Sequence, residues 1–398
     1  MPRGDGPTVR QRKGPPNISR HLAFVLGLLA PIYGFNTVVT PTVLSFVQLG
    51  AAAALVLLVA LSSRDLRPTR GTRLFAACII GTAVVHPSPR GLATALAIAT
   101  AVWLGGQLSR SSALLSAIAR GFVLGASLSA AIALGELAGL PSVGAGLSPG
   151  VDVAGAVGVA GLAGSRAGLG FASALAAALA YGGSPLPHKL LNSGVLFILM
   201  LATATSGSRI GLVGVLLMFA AGRLGKGRTT RATVRQTLLL VALYATALAT
   251  GIGLLSLDRL IAVADSEPDS GGRLEIVEEV LDSMDGQMVA IGNGLHVSPA
   301  QREDGHDRLA HNAAINALWF GGIPLLIGTY ILLVANLARI LSGLRKSPTT
   351  PSEYRGAALL FLVYTLGALL ANQPFSSSGL LLIAVAHMAR ARRGGSSQ

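Results

Sequence analysis

Residues 206–222 read SGSRIGLVGVLLMFAAG, a polar start with one arginine that leads directly into an apolar run. Such runs recur along nearly the whole chain of 398 residues, which is 52% hydrophobic and only 12% charged. A soluble domain carries roughly 25% charged residues, and a membrane-crossing helix needs about 20 apolar residues. The runs are too long and too uniformly apolar for barrel strands. We therefore predict an all-α integral membrane protein.

The apolar runs predict about twelve transmembrane helices and no separate soluble domain. A basic N-terminal segment (1–20) precedes spans one to nine (21–257), a long loop (258–310), spans ten to twelve (311–389) and a short tail (390–398). The predicted spans cover about residues 22–39, 43–61, 74–86, 91–108, 114–137, 167–181, 190–205, 210–222, 237–257, 313–335, 356–371 and 379–388.

The distribution of positive charge predicts the orientation of these spans. With both termini in the cytoplasm, the inside segments hold 24 of the 31 Lys and Arg residues, counting Arg120, and the outside holds seven. This positive-inside bias places the 258–310 loop outside. The same loop positions argue against a nucleic-acid partner despite the net charge of +14. Much Arg, Ala and Gly with only four lysines indicates a GC-rich bacterial genome, and it fixes no type of cell envelope.

The 258–310 loop carries twelve acidic residues and four arginines. Within it, Leu274, Val277, Leu281 and Met284 recur at helical spacing. This spacing predicts an amphipathic helix on or near the outer surface, with Arg273 at its N-terminal end. A loop of this length is usually functional or disordered.

Two arginines at the rims of this region are candidates for binding an anion. Arg209 follows the small residues Ser206 to Ser208, and Ser208 beside it leaves room for a ligand. Arg273 follows Gly271 and Gly272 and opens a helix, where backbone N–H groups also favour anions. Each has a plainer alternative: Arg209 snorkels to lipid headgroups, and Arg273 pairs with a nearby acid such as Glu275.

His311 is the candidate general base, because an imidazole with a pKa near 6.5 can accept a proton at neutral pH. The alternative is a residue that merely precedes a helix capped by Asn312. His296 and His306 are nearby substitutes. Arg166 opens span six from the outside and is a possible third phosphate contact. The sequence contains no zinc-binding spacing and no nucleotide-binding loop, and Gly292-x-Gly294 by itself indicates a tight turn.

Taken together, these motifs resemble the O-antigen ligase/polymerase family. They are Ser208-Arg209 at the start of a span, Gly271-Gly272-Arg273 and Gly292-x-Gly294 in a long outer loop, and His311-Asn312 followed by Gly321-Gly322-Ile323. The resemblance covers residues 160–335. The chain departs from the family pattern where Ile276 and Val277 replace an aromatic residue and where Ala313-Ala314 replace a Tyr-Leu-like pair.

The resemblance implies a GT-C-like membrane glycosyltransferase that needs no metal or other cofactor. Its donor would be a polyprenyl-diphosphate-linked glycan within the lipid bilayer, and its acceptor a glycan or a lipid. Arg209 and Arg273 would clamp the diphosphate while His311 takes the acceptor proton. Ser208, Arg166, Asn312, Gly272 and Gly294 would line the substrate site.

Two other classes of protein remain open from the sequence. A twelve-span polysaccharide or lipid transporter usually has repeated halves with ionisable residues near the midplane. Here we find no similarity between the halves, and the candidate ionisable residues gather at one face. An assembly factor whose outer loop binds a partner is the third class. The sequence does not distinguish a ligase from a polymerase.

Overall fold

The computed structural model describes most of the predicted membrane body and parts of the loop. The described residues are 17–32, 50, 52–57, 70–141, 160–163, 165–183, 185–206, 208–222, 273–296, 300–301, 307–308, 312–346, 352–370, 375 and 377–394. Span nine falls wholly outside these ranges, and so do His311, Gly272 and most of span two.

Within these ranges the protein is helical apart from one pair of very short strands. The helices are α1 (Asn17–Leu29), α2 (Arg70–Val85), α3 (Pro89–Leu108), α4 (Ser112–Leu137), α5 (Arg166–Gly183), α6 (Lys189–Thr205), α7 (Arg209–Gly222), α8 (Arg273–Asp282), α9 (Gly286–Ile291), α10 (Ala313–Tyr330), α11 (Asn336–Lys346), α12 (Ser352–Leu370) and α13 (Ser378–Gly394). A π-helical segment, Ile331–Ala335, joins α10 to α11, and strands β1 (Ala300–Gln301) and β2 (Asp307–Arg308) pair antiparallel.

Three of the described helical stretches are long and apolar enough to cross a membrane: Pro89–Leu108, Ser112–Leu137 and Ala313–Gly343. Shorter apolar helices stand beside them, among them Lys189–Thr205 and Ile210–Ala221. The membrane character predicted from composition is therefore supported by helix length as well.

Serine side chains fix where two of the long helices begin. Ser88 accepts a hydrogen bond from the Gly91 amide at 3.0 Å, and Pro89 follows it in the first turn of α3. Ser111 accepts one from the Leu114 amide at 3.3 Å at the start of α4. Each serine satisfies a backbone donor that would otherwise lack a partner in an apolar setting.

Glycines let the helices approach until their backbones touch. Gly27 of α1 lies against the backbone of Ile118 and Phe122 in α4, and Gly121 lies against Phe24 and Leu28. Gly125, one turn after Gly121, lies against Leu28, one turn after Phe24. Because residue numbers rise together along this contact, α1 and α4 run parallel. Close approach through small residues is a usual source of helix association in lipid.

Helices α5, α12 and α13 form the centre of the bundle. Gly182 of α5 contacts Gly356 of α12, while Gly367 of α12 contacts Phe171 of α5, so these two helices run antiparallel. Gly105 of α3 faces Leu382 to Ala386 of α13. Nearly every described side chain of α13 is buried, including Leu381 and Ile383.

Most predicted spans match a helix to within a few residues, but the first and the tenth differ. Helix α1 ends at Leu29, and Ala30 and Pro31 form a turn, whereas the predicted span continues to Val39. Proline in that position lacks the N–H that the next helical turn requires. The tenth continues to Lys346 through the π segment, well beyond the predicted end at Ala335.

The predicted amphipathic helix of the loop exists as α8. Its buried residue is Val280, with no exposed surface, while Leu281, which we expected on the apolar face, is 48% exposed. Val277 and Met284 are partly buried. The described stripe thus keeps Val277 and Met284 but has Val280 in place of Leu281, because tertiary packing selects which side of the stripe is covered.

Candidate functional site

The turn between α6 and α7 is buried and polar. Thr203, Thr205, Ser206 and Ser208 are each at most 4% exposed. The Ser206 hydroxyl donates to the Thr203 carbonyl at 2.9 Å and accepts from the Ser208 amide at 3.1 Å. These bonds hold the turn rigidly and bring the chain to the first residue of α7, Arg209.

Ser208 caps α7, since its hydroxyl oxygen accepts from the Gly211 amide at 3.2 Å. The start of α5 is built in the same way: Ser165 accepts from the Gly168 amide at 2.9 Å, and Arg166 is the first residue of the helix. Two Ser-Arg-x-Gly segments, 165–168 and 208–211, therefore open two helices identically. Each puts an arginine at the helix N-terminus, where the backbone dipole favours an anion.

These two helix starts lie side by side. A Cβ atom on Gly170 would collide with the side chains of Ser206 and Ser208, and one on Gly211 would meet the Gly170 backbone. Helices α5 and α7 are parallel, as the later contact of Gly214 with Ala174 shows. Gly170 is level with Ser208, just before α7 begins, and Arg166 precedes Gly170 by four residues. Arg166 therefore lies about one helical turn, about 6 Å, beyond the start of α7. Its side chain is 8% exposed, which is unusual for an arginine.

Arg273 is the first residue of α8, as we predicted from the two glycines before it. The structure describes the backbone of Arg209 and Arg273 and not their side chains, so their distance from a common ligand stays a prediction. His311 and Gly272 lie outside the described residues.

Asn312 is the N-cap of α10. Its Oδ1 atom accepts from the Ala314 amide at 2.8 Å and from the Ile315 amide at 3.3 Å. This confirms the capping role considered for Asn312. A capping oxygen with two donors has little capacity left for a substrate, and a substrate-binding role for Asn312 stays a prediction.

Gly292-Asn293-Gly294 docks onto a break in α10. At this break Gly321 and Gly322 leave helical geometry, and Gly322 has φ +62°. Pro324 has no N–H for the Phe320 carbonyl, and the Gly294 amide supplies one at 2.9 Å. The Asn293 amide bonds the Trp319 carbonyl at 2.7 Å. Gly294, at φ +90°, therefore has a structural role, and its predicted substrate contact stays a prediction.

Two histidines, His86 and His296, adjoin this break. The sequence analysis did not select His86 as a candidate functional residue. The His86 ring nitrogen Nε2 lies 3.3 Å from the Ile291 carbonyl oxygen. A Cβ on Gly294 would meet both His86 and His296, so the two side chains lie on the same side of the glycine. His86 ends a predicted span more than 200 residues earlier, and sequence spacing carries no signal for such a pairing. His296 is thereby the alternative to His311 that falls within the described residues.

Among the described residues, no three His, Cys, Asp or Glu side chains are grouped as a metal site requires. No protein-family model matches the chain, and no curated protein is similar to it.

Proposed function

We propose that this chain is a bacterial inner-membrane glycosyltransferase resembling the O-antigen ligase/polymerase family. It would transfer or polymerise glycan from a polyprenyl-diphosphate-linked donor at the outer face. The observation that carries the proposal is the pair of Ser-Arg-x-Gly helix starts, Ser165–Gly168 and Ser208–Gly211, packed side by side at one end of the bundle.

The packing directions support twelve spans. Helices α5 and α7 run parallel, α12 runs opposite to them, and Arg390 near the end of α13 pairs with Glu353 at the start of α12. Arg392, near the end of α13, donates to Asn336, which follows α10 and the π segment, so α10 also finishes at that end. Helices α7, α10 and α13 therefore share one direction, and Gly222 and Ala313 lie at opposite ends. The chain between them must cross an odd number of times, which fits one predicted span at 237–257.

The same reasoning applies between α1 and α2. Helix α1 is parallel to α4, whose Arg120 Nε donates to the Pro185 carbonyl at 3.0 Å, just beyond the end of α5. Helix α2 is opposite to α10, since Gly321 meets Thr82 and Gly328 meets Phe75. Both α1 and α2 then start at the end where α5 and α13 finish. An odd number of crossings between them fits the predicted second span, in which residues 52–57 are helical.

In the proposed reaction an acceptor hydroxyl oxygen attacks the anomeric carbon of the donor sugar. The bond from that carbon to the diphosphate oxygen breaks, and polyprenyl diphosphate leaves with the electron pair. His311 takes the hydroxyl proton. Negative charge grows on the leaving diphosphate, and fixed arginines in a partly dry site stabilise it without a metal. Direct displacement inverts the anomeric centre.

Arg209, Arg273 and Arg166 are assigned to the diphosphate in this proposal. Their guanidinium groups can each offer two parallel donors to phosphate oxygens, which a lysine cannot. The N-termini of α5 and α7 add backbone dipoles of the same sign. Gly170 and Gly211 allow the two helix starts to come close enough to address one ligand.

The test is complementation of a deletion strain with the wild type or with Arg209→Ala, Arg273→Ala or His311→Ala. We expect lipid-linked glycan to accumulate in the deletion strain and to disappear with the wild type alone. Loss of one such transition-state contact typically lowers turnover by about 10²–10³-fold. Unpolymerised single repeats would identify a polymerase, and full-length lipid-linked chains a ligase.

Arg90→Ala is the matched control. Arg90 is also an arginine in the first turn of a helix predicted to start at the outer face, but it opens α3 and its side chain is exposed. It should restore transfer fully at equal protein level. Full rescue by Arg209→Ala would contradict the proposal and would favour a transporter or an assembly factor.

A further inference from the structure

The far end of the bundle holds a second arrangement of polar groups, made by the π segment, α11 and α13. Asn336 is 2% exposed, and its Nδ2 atom donates to the carbonyls of Ile331 and Leu332, each at 2.9 Å. These bonds fix the amide so that Oδ1 points at Arg392, whose Nη1 donates to it at 3.0 Å. Widened π turns often mark functional positions.

Positive charge at this end is far in excess. Residues 312–398 contain seven arginines and lysines and a single acid, Glu353. That acid is engaged, because Arg390 pairs with it at 3.2 Å and also lies over the Tyr354 ring at 4.8 Å from its centroid. The Arg392 side chain is thus left with a neutral amide as its described partner.

Arg392 also has a like-charged neighbour. Burial first and the Arg339 guanidinium second lower the pKa of Arg392 below its usual range. Arg339 follows Asn336 by three residues on α11, which puts it on the same side of that helix, so the two like charges repel each other beside Asn336. An anion placed between them would remove that repulsion and would use donors that the amide leaves open.

We propose that Arg339, Arg392 and Asn336 form a binding site for the phosphate of an anionic phospholipid headgroup. Arginine forks match phosphate oxygens in geometry. The site lies in the last turns of a stretch long enough to cross a membrane, Ala313–Gly343, at the end that the charge bias predicts to meet the cytoplasmic headgroups. Helix α11 is strongly amphipathic, with Ile340 buried at 3% against the bundle and Arg339 exposed on the other side.

The lipid, rather than a soluble anion, is favoured by this position and by the local charge. Anionic lipids attract basic segments next to a span, and the attraction falls off within a Debye length. Occupation would tie α11 to α13 at the π segment. The proposal does not depend on glycosyl transfer at the opposite end of the bundle.

The experiment measures thermal unfolding of the purified full chain in neutral detergent. The probes are phosphatidylglycerol, phosphatidylcholine and inorganic phosphate at equal phosphate concentration. Phosphatidylglycerol should raise the Tm of the wild type in a saturable way, and the other two should not. In the Arg339→Gln/Arg392→Gln double variant, the rise should fall to less than half. Retention of the full rise in the double variant would overturn the site.

Three companion variants separate this site from general surface charge and from misfolding. Arg20→Gln and Arg73→Gln remove exposed arginines predicted on the same side, and both should keep the full rise. The Arg339→Lys/Arg392→Lys variant keeps both positive charges but loses the guanidinium fork. Its Tm in phosphatidylcholine should equal that of the wild type, and phosphatidylglycerol should raise that Tm by an intermediate amount. An equal loss of the Tm rise in Arg20→Gln would mean that phosphatidylglycerol acts through the general positive charge of this side, which would overturn the site.

Two further outcomes would also overturn the proposal. An equal rise with inorganic phosphate would show a site for soluble anions. Asp65 lies outside the described residues, and it precedes α2, whose Gly71 adjoins Asn336. If Asp65 were the partner of these arginines, the wild type would respond little to phosphatidylglycerol, and Asp65→Asn would respond strongly.

Discussion

Residue scale: single side chains in this protein satisfy backbone groups that lipid cannot. Ser88, Ser111, Ser165, Ser208 and Asn312 each accept a hydrogen bond from the first turn of a helix. At two of these caps, the next residue is an arginine. The cap fixes the backbone on which that arginine stands, so its orientation toward a ligand depends on a neighbour that never touches the ligand.

Asn312 offers the cleanest test of capping. Replacing it by Ala removes an acceptor for two amides and should lower the free energy of unfolding by about 1 kcal/mol, whereas Asn312→Asp should retain most of the stability. Thermal unfolding of both variants in the same detergent measures the difference. Equal stability of Asn312→Ala and the wild type would mean that the start of α10 is held by its docking to α9 alone.

The sequence predicted such helix starts well but not the contacts that depend on distant parts of the chain. Ser208-Arg209 and Asn312 are local signals, and the structure has helices starting there. Val280 in place of Leu281, and His86 beside Gly294, are set by packing between segments far apart in sequence. Local periodicity carries no information about which neighbour covers a stripe.

Element scale: pairs of helices here are held by glycine contacts that leave no space for a methyl group. Gly121 shows this most clearly, since a Cβ there would overlap the Phe24 carbonyl and crowd the Leu28 amide of α1. Backbone atoms cannot rotate away as a flexible side chain can. The contact between α1 and α4 therefore depends on this position more than on the apolar residues around it.

Gly121→Ala should destabilise the protein by about 1–3 kcal/mol, the usual range for overpacking. Gly106→Ala in α3 is the matched control, because a Cβ there meets nothing within 4 Å. It should leave the Tm unchanged or raise it slightly, as alanine is the better helix former. A comparison of the two Tm values is sufficient, and equal values would contradict the packing described for α1 and α4.

The sequence predicted the ends of a helix less well where the helix contains an internal break. The prediction treated α10 as one ordinary span, yet it breaks at Gly321-Gly322 and then continues through a π segment. The Gly-Gly pair and Pro324 were visible in the sequence. Whether such residues end a helix or only bend it depends on outside donors such as the Gly294 amide, which the local sequence does not reveal.

Whole-molecule scale: the helix directions show which helix ends share a side of the bundle, and the charge bias alone predicts which side faces the cytoplasm. The candidate transfer site and the proposed lipid site lie at opposite ends of the bundle, marked by Arg166 and by Arg392. If the positive-inside bias holds, the first of these ends faces outward and the second faces the cytoplasm.

Single cysteines placed in loops test this orientation, in a Cys78→Ser background. In spheroplasts, Ser270→Cys in the long loop should react with a membrane-impermeant maleimide. Thr229→Cys and Thr349→Cys should react only after the membrane is permeabilised. Protection of Ser270→Cys together with labelling of Thr229→Cys would reverse the proposed topology and remove Arg209 from the outer face.

The parallel contact between α1 and α4 has a consequence for how the protein is made. Gly27 and its partner Phe122 are separated by most of the first third of the chain. At about 5–20 residues per second, the ribosome needs roughly 5–20 s to extend the chain from α1 through α4. During that interval the face of α1 around Gly27 lacks the helix that covers it in the folded protein. Biogenesis of this protein should therefore depend more on the insertion of its fifth predicted span than on that of its second.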